Sequence, residues 1–330
     1  MLALAEGLGW RCEIKSLRYR KLLASLYSFV GGCGLLGIEA EGAAELVAPW
    51  PDLLISAGMR NEPLCRWIRK QSDGKTRVVF IGRPWAAAEA FDLVVTTPQY
   101  RLAEHNAVLQ NKLTLHRVTE TRLQQQAALF LPKLSALPRP LFAVIVGGDS
   151  GPFCFGPIAA RRLARQASEL AELVNGALLV TSSARTNPLA LQVLEAEISV
   201  PADFYRWQAG DEANPYFAYL ALADEIIVTA DSISMLSESC AMGKPVHLFD
   251  LGGMGAADTS ARDKSFRAWA YGCLMRCGPK RLGRDITLVH RALLESGQAS
   301  WLGSAPAGQK KSNQQTDLKR AIERVQALFV

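Results

Sequence analysis

The sequence predicts an α/β fold in which two doubly wound, Rossmann-like domains face each other across a cleft. Short apolar runs, each closed by Gly, Pro or a polar residue, are typical of parallel strands that are covered on both faces. Helical patterns separate these runs, and such alternation is typical of an open parallel sheet. A proline-bearing stretch, Leu131–Pro140, divides the runs into two series. We therefore expect one sheet on each side of that stretch.

The predicted elements follow the chain in order. Strands are predicted at Asp52–Ala57, Arg77–Ile81, Leu93–Thr97, Phe142–Val146, Ala177–Thr181, Glu225–Thr229 and Pro245–Phe249, with a more polar candidate at Arg11–Ser16. Helices are predicted at Leu2–Leu8, Glu62–Lys70, Ile158–Asn175, Pro188–Glu197, Tyr216–Ala223 and Met235–Met242. The first domain then spans residues 1–135 and the second 136–303, while residues 304–330 form a polar loop and a C-terminal packing helix.

Charge and composition narrow the class of partner. The chain has 330 residues, 49% of them hydrophobic, and a net charge of +6. Residues 1–135 carry 17 Lys and Arg against 12 Asp and Glu, so the basic excess lies in the first half. This bias suits an anionic partner, such as a phosphate-bearing substrate or a membrane surface, although an ordinary solvated surface explains it equally well. No basic stripe is interleaved with aromatic residues, so nucleic acid is not expected as a partner.

The sequence also indicates a cellular location. No window approaches the roughly 18 apolar residues that a membrane-spanning helix needs, and no basic flank precedes the apolar first residues as it does in a signal peptide. The seven cysteines are scattered, which favours a reducing compartment and offers no metal site. We expect a cytoplasmic protein that needs no metal or cofactor, with peripheral contact at the inner face of the membrane as an extension of that location.

A glycine-rich loop follows the predicted strand Phe142–Val146. Glycines at this place let the backbone approach a ligand, and their N–H groups can bind an anion. Ligands of open parallel sheets bind at the carboxyl ends of strands. We therefore expect a nucleotide diphosphate to contact Gly147, Gly148, Ser150 and Gly151. The alternative is a tight turn before a helix.

A second polar loop follows the predicted strand Ala177–Thr181. The Arg185 guanidinium can pair with a diphosphate through two parallel hydrogen bonds. The hydroxyls of Ser182, Ser183 and Thr186 can add further bonds, or Thr186 or Asn187 can cap the helix that follows.

The third loop carries the strongest pattern, because a strand, a polar turn and a short helix follow one another directly. Ser232 and Ser234, with the helix N-terminus, offer donors to a phosphate. Glu238 lies about one turn into the helix and can accept hydrogen bonds from both hydroxyls of a ribose. The alternative is a capping box on a structural helix. The candidate donor-site residues in this loop are Asp231, Ser232, Ser234, Met235, Ser237 and Glu238.

The first half supplies candidates for the acceptor side. Its predicted strands also end in polar loops, which contain Gly58, Arg60, Arg83 and Tyr100. His116 is the candidate general base, with His105 as the alternative, since histidine titrates near working pH. A structural role is the alternative for each of these residues.

Other patterns argue against competing chemistry. Gly32-x-Gly34-x-x-Gly37 matches the dinucleotide fingerprint formally, but Asp52 begins its strand, whereas the acidic residue of that fingerprint ends one. The chain has no Asp-x-Asp pair, no Gly-x-Ser-x-Gly elbow and no P-loop. Carboxylate-held metal, serine hydrolase and P-loop chemistry are therefore not expected.

These residues resemble the mitochondrial fission, or elongated-mitochondria, family of GT-B-like glycosyltransferases. The block Ala230–Glu238 also resembles the donor-site helix of GT-B transferases that use UDP-sugars. The resemblance implies a GT-B fold, a UDP-type donor whose ribose is held by Glu238, and transfer without a metal. It is carried by Pro49–Gly58, Phe91–Val95, Gly147-Gly148, Arg185-Thr186, Asn214–Tyr216, Ala230–Glu238 and Gly243–Val246.

One departure from the family concerns the start of the chain. Family members begin with a strand and a Gly-rich turn before the helix that corresponds to Leu2–Leu8, and neither precedes it here. We therefore expect the first domain to lack its first strand. Either the start codon is misassigned or this domain is impaired.

The leading functional hypothesis is a glycosyltransferase that moves a sugar from a nucleotide-diphosphate-sugar to an anionic acceptor. The resemblance implies that this acceptor is a cell-envelope glycan or a lipid-linked molecule. Two alternatives stay open, a non-catalytic peripheral membrane adaptor on the same fold and a nucleotide-sugar epimerase. The donor sugar, the base, the acceptor and the oligomeric state do not follow from the sequence.

Overall fold

The computed structural model describes residues 1–252, 263, 265–279, 282–304 and 314–330, and these form two compact units. The first unit comprises residues 1–115 together with the C-terminal helix, and the second unit begins at His116. Within the described residues, no helix is long and apolar enough to cross a membrane.

The helices and strands alternate along most of the chain. The strands are β1 Leu53–Ala57, β2 Arg77–Ile81, β3 Leu93–Thr96, β4 Val108–Gln110, β5 Leu141–Ile145, β6 Ala177–Thr181, β7 Ala202–Tyr205, β8 Glu225–Thr229, β9 Val246–Phe249 and β10 Ser300–Trp301. The helices are α1 Leu2–Leu8, α2 Lys21–Phe29, α3 Ala40–Ala44, α4 Glu62–Gln71, α5 Glu120–Leu134, α6 Pro157–Glu172, α7 Pro188–Glu197, α8 Tyr216–Leu222, α9 Ile233–Ala241, α10 Phe266–Cys277, α11 Thr287–Glu295 and α12 Gln314–Gln326.

The first unit is built on a parallel sheet in the order β1-β2-β3-β4. Alternate side chains of its strands point to opposite faces, and both faces are covered. Val79 and Leu93 pack with α1 and α12 on one face, while Val78 and Phe80 pack with Cys65 of α4 on the other. This double cover explains why the strands are almost wholly apolar. The order does not reverse among the described strands, so this unit shows one half of a doubly wound sheet.

The C-terminal helix α12 is an integral part of the first unit. Ala321 and Val325 are fully buried in the same core cluster as Leu4 of α1. The Asp317 carboxylate accepts hydrogen bonds from the backbone N–H groups of Lys112 and Leu113, at 2.9 and 3.2 Å. The structure thus has a helix with a buried apolar face at the C-terminus, where the apolar spacing predicted one.

The second unit is a doubly wound parallel sheet in the order β10-β9-β8-β5-β6-β7. The chain moves outward from β5 to β7, crosses back, and then moves outward from β8 to β10. Strands β5 and β8 are therefore neighbours at which the winding reverses, with Val144 opposite Ile227. The prediction of an α/β fold with two parallel sheets is confirmed.

Several elements differ from the prediction. Residues Arg11–Ser16 form no strand, and the short strands β4, β7 and β10 have too few apolar residues to be recognised in the sequence. Helix α5 occupies the first half of the predicted linker and packs on α8, with the Arg122 guanidinium over the Phe217 ring at 5.5 Å. This packing places α5 in the second unit. The boundary thus falls between residues 115 and 116, where the prediction set it between 135 and 136.

Candidate functional site

The candidate site lies where the winding of the second sheet reverses. The loops that follow β5, β6 and β8 meet there, and they bring Gly148, Arg185 and Asp231 together. In open parallel sheets the crevice at the reversal, outside the carboxyl ends of the strands, is the usual place for a ligand. The three loops in which the sequence predicted donor residues therefore converge.

Asp231 joins the three loops. Its buried carboxylate accepts hydrogen bonds from the Gly148 N–H at 2.9 Å and from the Thr229 hydroxyl at 2.7 Å. The Arg185 guanidinium lies 3.3 Å from the same carboxylate. Burial raises the pKa of Asp231, and the hydrogen bonds and the Arg185 charge only partly oppose that rise. The buried Asp231 carboxylate therefore holds the three loops together, and other groups must form the surface that contacts a ligand.

The glycine-rich loop is packed too tightly to bind an anion through its first two N–H groups. A Cβ on Gly148 would lie 2.1 Å from the Arg185 carbonyl oxygen, and one on Gly147 would lie 2.3 Å from the Asp231 carboxylate. The Gly147 N–H donates to the Thr229 hydroxyl at 2.8 Å, and the Gly148 N–H donates to Asp231. These two glycines thus bring the loops together, which corrects the predicted role of their N–H groups as anion donors.

The remaining residues of that loop are also engaged. Ser150 is buried, and its hydroxyl accepts a hydrogen bond from the Arg284 guanidinium at 2.5 Å. Gly151 has φ +58°, a left-handed conformation that favours glycine. Arg284 lies 134 positions from Ser150 in the chain, and nothing in the sequence pattern links the two residues.

The loop after β6 exposes one of its three predicted ligands. Ser182 is buried and its hydroxyl accepts from the Trp207 N–H at 2.9 Å. The Thr186 hydroxyl donates to the Gly147 carbonyl and accepts from the Ser183 N–H. Both hydroxyls hold the loop in shape, and their role as ligands stays a prediction. The Arg185 side chain remains half-exposed beside Asp231.

Helix α9 begins directly at the reversal of the sheet, and Ser232 is its N-cap residue. Among the described residues, no side chain caps the first N–H groups of this helix. Ser234 is exposed and Met235 is half-buried in this first turn. Ser237 is fully buried and its hydroxyl donates to the Ile233 carbonyl at 2.7 Å, so its predicted ligand role stays a prediction.

Glu238 lies on the same face of α9 as Ser234, because residues four apart are neighbours on a helix. It is half-buried, and one carboxylate oxygen accepts a hydrogen bond from the Tyr216 hydroxyl at 2.5 Å. Burial raises the pKa of Glu238, while the bond from Tyr216 acts in the opposite direction. The carboxylate is therefore held in one orientation at the edge of the site. Tyr216 belongs to a block noted in the sequence, but its contact with Glu238 could not be read from the spacing.

The N-terminus of α6 stands in contrast to that of α9. The Asp263 carboxylate accepts hydrogen bonds from three backbone N–H groups there, those of Gly156, Ile158 and Ala159, at 3.1, 3.2 and 2.8 Å. A carboxylate of the chain itself thus fills the position that an anion takes at a helix N-terminus. Of these two helices, α9 has the N-terminus that no described side chain occupies.

The predicted acceptor residues share the carboxyl edge of the first sheet. Gly58 follows β1 with φ +88°. Arg60 donates to the Ser25 hydroxyl at 3.0 Å. Arg83 follows β2 and donates to the carbonyl of Tyr100, which follows β3, at 2.7 Å. These residues therefore lie at one edge of the sheet, and the two arginines form hydrogen bonds with neighbouring elements of the same unit.

His116 begins the second unit, and its Nδ1 accepts a hydrogen bond from the Val118 N–H at 3.3 Å. Its role as a general base stays a prediction. Within the described part of the chain, no three His, Cys, Asp or Glu residues cluster in a way that could hold a metal ion.

Comparisons with known proteins relate the chain to the mitochondrial fission ELM1 proteins. The family model for mitochondrial fission ELM1 matches residues 1–268. The mitochondrial fission protein ELM1 of Arabidopsis thaliana is 26% identical over 248 residues, which are 66% of this chain and 57% of that protein. An uncharacterised protein of Rickettsia prowazekii is 25% identical over 279 residues, which are 75% of this chain and 78% of that protein. The chain thus spans little more than half the length of the Arabidopsis relative.

Among solved structures, S. aureus MnaA in complex with UDP aligns with 100% of this chain and 87% of its own. The TM-score is 0.46 and the sequence identity 10%.

Proposed function

The chain belongs to the mitochondrial fission ELM1 family, and we propose that its second unit binds a nucleotide-diphosphate-sugar, of UDP type, as the donor for a metal-independent glycosyl transfer. The acceptor is anionic or lipid-linked, such as a cell-envelope glycan precursor, and is held by the first unit. The protein is cytoplasmic and acts at the inner face of the membrane.

One observation supports the donor site above all others. Helix α9 begins at the reversal of the sheet, and no described side chain caps its first N–H groups. Such a helix end attracts a diphosphate through its free N–H groups and its dipole. The half-exposed Arg185 guanidinium adjoins the same turn through Asp231. These donors would stabilise the charge that develops on the leaving diphosphate.

Glu238 supports the assignment of the ribose subsite. Its carboxylate lies one helical turn beyond Ser234, on the same face, and is fixed by the Tyr216 hydroxyl. That bond engages one carboxylate oxygen, and an ionised carboxylate has acceptor capacity for further donors. The 2′ and 3′ hydroxyls of a ribose would be such donors. Gly58, Arg60, Arg83 and Tyr100 would contact the acceptor, and His116 would take its proton.

Release of UDP from UDP-sugars tests the proposal. We expect turnover that increases when lipid-linked acceptors are added, and at least a tenfold loss of turnover in Glu238→Ala. UDP release that needs no acceptor would indicate hydrolysis instead. A UDP-sugar whose stereochemistry changes without UDP release would indicate epimerisation, and either result contradicts a transferase.

A second candidate function is a catalytically silent adaptor that uses the same fold. It is favoured by the Arabidopsis relative, which is named for a role in mitochondrial fission. An adaptor of this kind would bind the nucleotide-sugar without any turnover. Binding by wild type together with no product, across a panel of UDP-sugars and acceptors, would favour this candidate over the transferase.

A further inference from the structure

Helix α2 of the first unit exposes an apolar face. Its buried side consists of the small residues Ala24 and Ser28. The exposed apolar residues recur at a spacing of one and two helical turns, so they lie along one face. They are Leu22 at 90% exposure, Leu26 at 61%, Phe29 at 57% and, directly after the helix, Val30 at 68%. Such a contiguous apolar patch on a protein surface marks a site of interaction.

The segment that precedes this face is basic. Residues 11–21 hold five Lys and Arg and one Glu, and residues 22–38 hold no charged residue. Lys15 is paired with Glu13 at 2.7 Å. Arg18, Arg20 and Lys21 are exposed, and among the described residues no carboxylate pairs with them. The apolar face of α2 is thus preceded by cations that can bind anions outside the protein.

We propose that α2 is an interfacial helix that docks the first unit on an anionic lipid bilayer. Leu22, Leu26 and Phe29 enter the boundary between headgroups and acyl chains, and the cations that precede them bind acidic headgroups. An apolar face beside a basic flank is the pattern that interfacial helices use. A symmetric dimer through the same face fits less well, because residues 18–38 hold no carboxylate with which a second copy of this segment could pair the basic flank.

Contacts within the first unit place this face beside the predicted acceptor loops. Ser25 of α2 accepts a hydrogen bond from Arg60, in the loop after β1. The Phe29 ring packs on Trp85, in the loop after β2, at 5.1 Å, and the Trp85 indole N–H donates to the Phe29 carbonyl. A bilayer bound by α2 would therefore adjoin the edge that we propose for a lipid-linked acceptor. The docking surface itself depends only on the exposed residues of α2 and its basic flank.

Co-sedimentation with lipid vesicles tests the proposal. Wild type should bind vesicles of equal parts phosphatidylglycerol and phosphatidylcholine, bind pure phosphatidylcholine far more weakly, and be released by salt. Leu22→Ser and Leu26→Ser should each weaken binding about tenfold, as expected when one leucine no longer enters an apolar phase. Gln at Arg18, Arg20 and Lys21 should weaken it about fivefold for each charge removed.

Leu173→Ser is the matched control, because this leucine is 82% exposed in the second unit, outside α2. It should bind vesicles as wild type does. The α2 variants should keep the melting temperature and the UDP affinity of wild type, which separates a failure of docking from a failure of the donor site. Equal binding to both vesicle types, no binding to either, or a dimer that Leu22→Ser and Leu26→Ser dissolve would overturn the proposal.

Discussion

Gly148→Ala is the substitution that tests most sharply whether the loops converge. The backbone of Gly148 does not have a positive φ angle, so alanine is acceptable to the local conformation and the effect is steric. The new Cβ would lie 2.1 Å from the Arg185 carbonyl oxygen and 2.4 Å from its carbonyl carbon. Both are backbone atoms, and the loops would have to part by about 1.3 Å to reach ordinary contact distance.

The expected result combines a loss of stability with a loss of binding. Overpacking of this kind costs about 1–3 kcal/mol, which in a unit of this size lowers the melting temperature by about 2–12 °C. Parting the loops also strains the bonds of Asp231 to Gly148 and Arg185, so UDP affinity should fall more than stability alone requires. Thermal unfolding and calorimetric titration measure the two effects.

Gly272→Ala is the control for Gly148→Ala. Gly272 lies within α10, where the nearest atom to an added Cβ is 3.9 Å away, and alanine there should be neutral or stabilising by up to about 1 kcal/mol. If Gly148→Ala melted and bound UDP as wild type does, the described contact between the loops after β5 and β6 would be wrong.

Three further predictions concern single side chains. Tyr216→Phe removes the hydrogen bond that lowers the pKa of Glu238, so as the pH falls UDP affinity should be lost at a higher pH than in wild type; an unchanged pH profile would exclude the bond. Glu238→Gln should be at least as stable as wild type at neutral pH. Burial raises the folded-state pKa of Glu238, so wild type loses stability as the pH rises through that pKa, whereas the variant does not. Urea unfolding as a function of pH measures this difference in stability. A variant that is less stable than wild type at neutral pH would contradict the prediction. Leu4→Ala should destabilise the first unit by about 2–5 kcal/mol, since Leu4 is fully buried with Val325 of α12. The destabilisation by the double variant should differ from the sum of those by Leu4→Ala and Val325→Ala. Strict additivity would contradict the packing of α1 on α12.

The parts of the fold that the sequence predicted share a physical cause. Strands such as β5 and β8 are buried on both faces, so their apolar runs stand out from the flanking glycines and polar residues. Helix α5 was missed because its apolar pattern is interrupted by three consecutive glutamines and it contains Pro132, which favours a linker in a reading of the sequence. Its packing on α8 outweighs that local preference.

The candidate site shows the same division between local and tertiary information. That loops at the carboxyl ends of parallel strands meet follows from topology alone, so the convergence of Gly148, Arg185 and Asp231 was predictable. The sequence did not reveal which side chains of these loops face the interior of the protein. Ser182 and Ser237 look the same in sequence as Ser234, but the first two are buried with partners and the third is exposed. The contacts of Tyr216 with Glu238 and of Asp263 with α6 join residues that are distant in the chain, and no spacing rule reveals them.

Calorimetric titration of UDP into wild type, Arg185→Gln and Glu238→Gln tests the central claim most directly, because it needs neither an acceptor nor turnover. We expect wild type to bind UDP and each variant to bind about 10- to 150-fold more weakly, as expected for the loss of a hydrogen bond to a charged group. Melting temperatures of the variants should stay near that of wild type. No binding of UDP by folded wild type, or equal affinity in all three proteins, would contradict a nucleotide site at the N-terminus of α9.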